Sequence, residues 1–331
     1  MNKEINIELI GVGKYLPSRK VAASGIDNTL KTKLGWSLNA TGVKYRFFSD
    51  GETSSEMGAK AINEAIKNTN ISKFDFDALV SVGGTTQQPI PCTASLIAAQ
   101  LGLRKGLIAF DVNATCLGFL VALDLLAKQI SLGCYNRVAL VASEIASEGL
   151  NWQQKESAAL FGDGAAAVII GPGKKGGSKI IASHFETYSE GVEFCQIRGG
   201  SAKLHAKYHS KENSSEYLFD MHGSSLFKLV MKKLPSFLKD LLAQANLALS
   251  DIDLVIPHQA SLSALTLLRK RLGLSEKKFF INVHEHGNII SASIPLALHD
   301  ALNQDRIQRG NKVLLLGSSA GVSLGGVVLE Y

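Results

Sequence analysis

Apolar positions along the chain fall into two alternating kinds of segment. At 57–67 (MGAKAINEAIK) they recur at helical spacing, and 93–101 and 117–130 read as further helices. Residues 78–82 and 107–112 are short continuous apolar runs that read as buried strands. The order then returns: helix 236–245, strand 254–256, helix 262–272, strand 279–283, helix 294–302, strand 313–316. Continuous apolar strands alternating with helices predict largely parallel sheets covered on both faces. Segment 117–127 (LGFLVALDLLA) is apolar nearly all round, which predicts a helix inside the core and not on the surface. Residues 196–216 (QIRGGSAKLHAKYHSKENSSE) break the pattern and read as a long polar excursion from the second half.

The returning order is an internal repeat. Residues 70–80 (NISKFDFDALV) resemble 246–256 (NLALSDIDLVI), 176 positions on, and 136–143 (NRVALVAS) resemble 311–318 (NKVLLLGS), 175 positions on. Each half closes with a Gly-rich turn and an apolar strand, FGDGAAAVIIG at 161–171 and SSAGVSLGGVVLEY at 318–331. Two α/β halves, 1–172 and 173–331, are therefore expected to pack through central helices as a layered sandwich.

Composition narrows the class. A length of 331 residues leaves room for two such units. With 46% apolar and 19% charged residues, an intrinsically disordered chain is excluded. Gly is high at 31 and Pro low at 7, which predicts tight turns and close backbone contacts in place of proline-rich linkers. No apolar run approaches the roughly 18 residues of a membrane helix, and Glu4 interrupts the stretch where an export signal would need apolar residues. Cys92, Cys116, Cys134 and Cys195 form no C-x-x-C pair and no metal-like spacing, so a reduced cytoplasmic protein without a disulfide scaffold or zinc site is expected. The net charge of +6 is densest at 171–179 (GPGKKGGSK) and 268–272 (LRKRL). That pattern reads as a solvated surface or as a docking face for an acidic partner or phosphate-bearing ligand. No helix-turn-helix, finger or stacking aromatics accompany the charge, so nucleic acid is not expected.

Three residues carry candidate chemistry. Cys116 (DVNATCLGF, 111–119) lies between an apolar strand and a buried helix, where the helix N-terminus is expected to favour a thiolate suited to reversible acyl transfer. His258 (LVIPHQA, 254–260) and Asn288 (HEHGNIIS, 284–291) also follow predicted strands, at the edge where ligands gather in parallel α/β sheets. Alone, each has a plain reading: a small buried hydrophobe, a locally satisfied loop histidine, a turn. His284 and His286 have i,i+2 strand spacing, but with only Glu285 nearby no metal site is expected. The repeat brings the three together, since Cys116 and Asn288 occupy roughly equivalent elbows and His258 occupies the second copy of the Gly83 turn, so that they are expected to converge near a pseudo-two-fold axis.

At these residues the chain resembles the β-ketoacyl-acyl carrier protein synthase III family of the thiolase superfamily, over essentially its whole length. The likeness runs from IGVGKYLP (10–17) through Thr41-Gly42-Val43 with Arg46, ETSSEMG (52–58), the cysteine elbow and FGDGA (161–165), to His258-Gln259-Ala260 and Gly287-Asn288 with SASIPLAL (291–298). The resemblance implies a thiolase-like, five-layered αβαβα sandwich. It implies that Cys116 takes an acyl group from acyl-CoA, after which decarboxylation and condensation with malonyl-acyl carrier protein yield a 3-oxoacyl product. His258 and Asn288 would donate to the malonyl thioester carbonyl, and the backbone N–H groups of Cys116 and Ala320 would hold the acyl oxyanion. No cofactor or metal is implied; CoA and carrier-protein thioesters are the substrates.

Further positions carry over from the resemblance. Trp36 matches a tryptophan over the CoA adenine, and Lys155 falls where relatives place an arginine near the CoA phosphates or base. Lys228, Lys270 and Arg271 match basic positions that dock the carrier protein, and Ile90 matches a residue that crosses a homodimer interface to close the partner's acyl pocket. Ala40 stands where relatives have an arginine that contacts CoA, Ser263 replaces a basic position near the tunnel mouth, and Ser318-Ser319 replaces a Phe-Gly pair beside the cysteine, departures that point towards a longer starter or a specialised pathway. Two other readings stay open here: a relative that joins or transfers acyl groups without decarboxylation, and a non-catalytic partner subunit of the same fold. Ile90, standing near the glutamate base of hydrocarbon-forming relatives, counts against one form of the first. A papain-like hydrolase has similar residue types, but the doubled α/β pattern does not suit that fold.

Overall fold

Residues 4–103 and 106–331 are described by the computed structural model. Strands β1 (Ile5–Tyr15), β2 (Ala78–Ser81), β3 (Ile108–Asp111), β4 (Val138–Glu144) and β5 (Gly164–Pro172) belong to the first half. Strands β6 (Lys179–Thr187), β7 (Leu254–Pro257), β8 (Lys312–Ser319) and β9 (Ser323–Glu330) belong to the second. They form a nine-stranded sheet in the order β3-β2-β4-β5-β1-β6-β9-β8-β7. Among the described residues only Ile5–Ile180 and Asn6–Lys179 pair across the middle, between β1 and β6, so the sheet is two sub-sheets joined at one edge. A boundary after Pro172 falls in the connection 173–178 between β5 and β6.

Helices cover both faces. In the first half they are α1 (Ser54–Ile66), α2 (Thr93–Gln100) and α3 (Gly118–Ser131); in the second, α4 (Gly223–Ala245), α5 (Leu262–Arg271) and α6 (Ser293–Asn303). As its all-round apolar sequence predicts, α3 lies with α6 in the middle, where Phe119, Leu120 and Leu123 meet Ile294, Leu298 and strand residues of both sub-sheets in one apolar cluster. A second cluster packs α1 and α2 on the outer face of the first sub-sheet, and a third packs α4 and α5 on that of the second. The result is five layers, αβαβα. Helix α1 starts where Thr53 and Glu56 form a reciprocal cap, the Thr53 N–H donating to Glu56 Oε2 at 2.7 Å and the Glu56 N–H to Thr53 Oγ1 at 3.3 Å.

The repeat persists down to single hydrogen bonds. The Asp77 N–H donates to the Arg137 carbonyl at 2.8 Å, and its counterpart Asp253 to that of Lys312 at 2.9 Å. One step past each strand, the Val82 N–H donates to the Val141 carbonyl at 2.9 Å and the His258 N–H to that of Leu316 at 2.7 Å. The counterpart of His258 is thus Val82, which opens the Gly83 turn and is the residue that the 176-position offset gives.

Three expectations are corrected. The sheet is mixed: β2–β3, β2–β4 and β7–β8 are parallel, and the other five pairings are antiparallel. Burial on both faces makes a strand apolar throughout whatever its direction, so continuous apolar runs report coverage and not polarity. Helix α4 begins at Gly223, well before 236, and runs through Pro235. Pro235 lies on an exposed face, where water can satisfy the freed carbonyl one turn back. The strand expected at 279–283 reduces to a single bridge between Val255 and Phe279, and a short helix, Val283–His286, takes its place.

Candidate active site

Two elbows of the same construction supply two of the predicted groups. After β3, Asn113 Oδ1 accepts the Thr115 N–H at 3.0 Å, Thr115 takes a φ of 49°, and one turn of 3-10 helix, Thr115–Leu117, carries Cys116 into α3. In the second half Asn288 Oδ1 accepts the Ile290 N–H at 2.9 Å, Ile290 takes a φ of 43°, and the 3-10 turn Ile290–Ala292 leads into α6. A positive φ is costly for Thr and more so for a bulky β-branched Ile, so the surrounding structure must enforce both. In structural register Asn288 matches Asn113, and the counterpart of Cys116 is Ser291.

Close backbone contact fixes Asn288. Its N–H donates to the Leu160 carbonyl at 2.9 Å, and its carbonyl accepts the Gly162 N–H at 3.0 Å. A Cβ at Gly162 would stand 2.5 Å from the His286 carbonyl oxygen, and one at Gly287 (φ 73°) would stand 2.8 Å from that of Leu160. Only glycine lets the two segments approach this closely. With Oδ1 committed to the Ile290 N–H, the amide group of Asn288 left without a protein partner among the described residues is its donor, Nδ2.

His258 is held by its neighbour. The Gln259 side-chain amide donates to the carbonyls of Pro257 (2.9 Å) and Phe280 (3.2 Å), while Oε1 accepts the N–H groups of Asn282 (3.0 Å) and Val283 (3.1 Å). Buried Gln259 thereby ties the His258 loop to the segment that leads on to Asn288. All four of its bonds are satisfied, as a buried amide requires.

Cys116, His258 and Asn288, from the two halves, line one cavity of about 640 Å³. Thr115, Ser318, Ser319 and Ala320 also border it, and the rest of the wall is mainly apolar, including Leu150, Phe161, Phe219, Leu234, Leu265 and Leu324. The Ala320 N–H has no backbone acceptor among the described residues. Burial pushes the Cys116 thiol up to about 12, and the Glu144 carboxylate adds to the effect. The lowering of this thiol expected from the helix N-terminus is opposed by that burial, and α3 itself starts two residues beyond the sulfur. Burial also lowers His258 to about 4. At neutral pH the site holds a neutral thiol, a neutral imidazole and an amide, which are donors without net charge.

Comparison with known proteins identifies the family. Family models described as 3-oxoacyl-[acyl-carrier-protein] synthase III and its C-terminal region match residues 110–189 and 242–331. β-Ketoacyl-[acyl-carrier-protein] synthase III of Clostridioides difficile is 31% identical over 98% of both chains. That of Oleidesulfovibrio alaskensis is 34% identical over 97% of this chain and 98% of its own. The chain belongs to the 3-oxoacyl-acyl carrier protein synthase III family. Its members are condensing enzymes of the acyltransferase type. The Aquifex aeolicus synthase III structure superposes with a TM-score of 0.88 at 30% identity, covering 98% of this chain and all of that one. Xanthomonas campestris OleA, at 18% identity and a TM-score of 0.85 over 98% of each chain, shares the fold.

The remaining predicted positions of this synthase III chain lie outside the cavity wall. Trp36 and Lys155 lie on neighbouring short helices, Trp36–Thr41 and Lys155–Ala158. Neither lines the cavity, but Ala40, Thr41 and Glu156 of the same helices do. Lys228, Lys270 and Arg271 are brought together with Lys232 around a surface groove floored by Phe227, Met231 and Leu267. Ile90 is 84% exposed and away from the cavity wall. His284 and His286 lie on the short helix Val283–His286, and His286 Nε2 is engaged with Asp300 at 3.1 Å.

Two cavity neighbours were missed in the sequence. Cys195 is buried in the same wall. Glu144 closes β4, and its signal was a lone charge ending an otherwise uncharged buried strand, VALVASE.

Proposed function

We propose that this chain condenses an acyl group with a malonyl thioester by way of an acyl-enzyme on Cys116. The observation that carries the reading is that a thiol, an imidazole and an amide from two repeats open on one apolar cavity. The Cys116 sulfur attacks the carbonyl of an acyl-CoA, the new C–S bond forms, and CoA leaves with the thiol proton. The backbone N–H groups of Cys116 and Ala320 hold the oxyanion of that step. Malonyl-acyl carrier protein then loses CO₂, the electron pair of the broken C–C bond passes into an enolate, and His258 and Asn288 donate to its oxygen. The enolate carbon attacks the acyl-enzyme carbonyl, releasing 3-oxoacyl-carrier protein and returning the Cys116 thiolate, which regains a proton. Neutral donors suit this chemistry, because a carboxylate at either position would repel the enolate.

The apolar wall, with Ser318 small beside the elbow, supports a starter longer than acetyl. Lys228, Lys270 and Arg271 supply a cationic groove for the acidic carrier protein, and Trp36 and Lys155 flank the mouth for CoA. A cytoplasmic homodimer fits the reading, with edge strand β3 and exposed Ile90 and Ile108 offering apolar surface to a second copy. No helix among the described residues is long and apolar enough to cross a membrane.

The test is intact-mass measurement after incubation with acyl-CoAs of graded length, followed by CO₂ release from malonyl-carrier protein. An adduct on wild type that is absent from Cys116→Ala is expected. An adduct persisting on the variant would remove the reading, and condensation of two acyl-CoAs without CO₂ release would replace decarboxylation by direct acyl joining.

A further inference from the structure

Glu144 is buried at the end of β4, and the mechanism above makes no use of it. Five groups donate to its carboxylate. Oε1 accepts the N–H groups of Gly84 (2.7 Å) and Ser291 (3.1 Å) together with the Ser291 hydroxyl; Oε2 accepts the Thr85 N–H (2.8 Å) and hydroxyl (2.6 Å). Backbone N–H groups cannot accept a proton in return, so the arrangement selects the carboxylate anion, although burial pushes its pKa up. No lysine, arginine or histidine is paired with it among the described residues. Burying an anion without a cation is costly, and neutral donors must offset the whole penalty.

The repeat shows that the fold does not require this charge. At the corresponding end of β8 stands Ser319, also buried, and the strand turns there without a carboxylate. What distinguishes Glu144 is its reach between the halves. Gly84 and Thr85 belong to the first, whereas Ser291 belongs to the second and lies three residues after Asn288. Between them Ile290 is held at positive φ, and its N–H orients the Asn288 amide. The same contact presses the Ile290 side chain towards Gly84, where an added Cβ would lie 2.9 Å from Ile290 Cγ2.

We infer that Glu144 is a positioning residue for the condensation step: by gripping Ser291 it holds the strained turn that aims Asn288, and it does so from the half that carries the nucleophile. The inference rests on the decarboxylating reading above. It separates two partial reactions, because acylation of Cys116 does not use Asn288 and enolate formation does.

The test measures acyl-enzyme formation and CO₂ release separately on the full-length wild type, Ser291→Ala and Glu144→Gln. In the glutamine variant an NH₂ group faces donors that need an acceptor. CO₂ release is expected to fall about 10²-fold in Glu144→Gln and about tenfold in Ser291→Ala, the scale of a slightly misplaced catalytic group. Acylation should stay within about threefold of wild type in both, on the same scale. Alkylation of Cys116 in Glu144→Gln should also move to lower pH, because the nearby negative charge is gone. If Glu144→Gln does not fold, Ser291→Ala decides alone, since it deletes one hydroxyl and keeps the carboxylate. Equal loss in both partial reactions, or no loss in either, overturns the inference. A wild type that is acylated but releases no CO₂ overturns the decarboxylating reading, and this inference with it.

Discussion

The two elbows are built alike and used differently. Each has an Asn whose oxygen accepts an N–H two residues on, a positive φ, one turn of 3-10 helix and a central helix. In the first, Cys116 opens on the cavity, and the Asn serves the turn. In the second, the Ser291 hydroxyl at that position is closed off by Glu144, and Asn288 faces the cavity instead. In the proposed reaction, one duplicated turn therefore yields a nucleophile in one copy and a neutral donor in the other. The change is made by the side chain at its fourth position, Cys116 or Ser291, and by the residue that ends the neighbouring strand, Glu144 or Ser319.

The largest expected contrast comes from removing the same amide in both copies. Asn288→Ala should lower CO₂ release by about 10²–10³-fold, the usual effect of deleting an oxyanion donor. Asn113→Ala removes only a turn bond and should cost about 1 kcal/mol of stability, read by urea denaturation, with CO₂ release changed only a few-fold. Equal losses of activity would mean that both amides serve the chemistry, and the contrast would collapse.

His258 and its counterpart Val82 make the same backbone bond, but only His258 titrates. Its pKa is near 6.5 when unfolded and about 4 when folded. Between those values the unfolded chain binds more protons, so stability falls as the pH drops from about 6.5 towards 4. Melting temperature followed across that window should decline less steeply for His258→Gln than for wild type. Parallel curves would show that the imidazole is not kept neutral by burial.

The smallest effect is at the strand entries. Asp77 Oδ2 accepts the N–H groups of Asn136 (2.5 Å) and Arg137 (2.9 Å), whereas Asp253 accepts only that of Lys312 (2.8 Å). Asp77→Ala should destabilise by about 1–2 kcal/mol and Asp253→Ala by about half as much. Chemical denaturation giving the reverse order would show that this part of the repeat is not energetically comparable.

How far the chain could be read follows from the same residues. The doubled pattern, the central helix and the trio Cys116, His258 and Asn288 were legible because each leaves a local mark: a recurring phrase, an all-apolar helix, a polar residue just past a strand. Strand direction was not legible, since burial on both faces erases the alternation that would carry it. Pro235 hid the first half of α4, because a proline usually ends a helix and here faces water. The protonation of Cys116 depends on how much protein surrounds it, and no spacing records that. Glu144 works through Ser291, 147 positions away, and such a contact exists only after folding.

The sharing of one apolar cluster by α3, α6 and strands of both sub-sheets has a consequence for what counts as a folding unit. An autonomous domain closes its own core, whereas here each repeat supplies half of a common one. Severed from the other, either repeat would expose its central helix to water, and the cavity lined by Cys116, His258 and Asn288 would lose one of its walls.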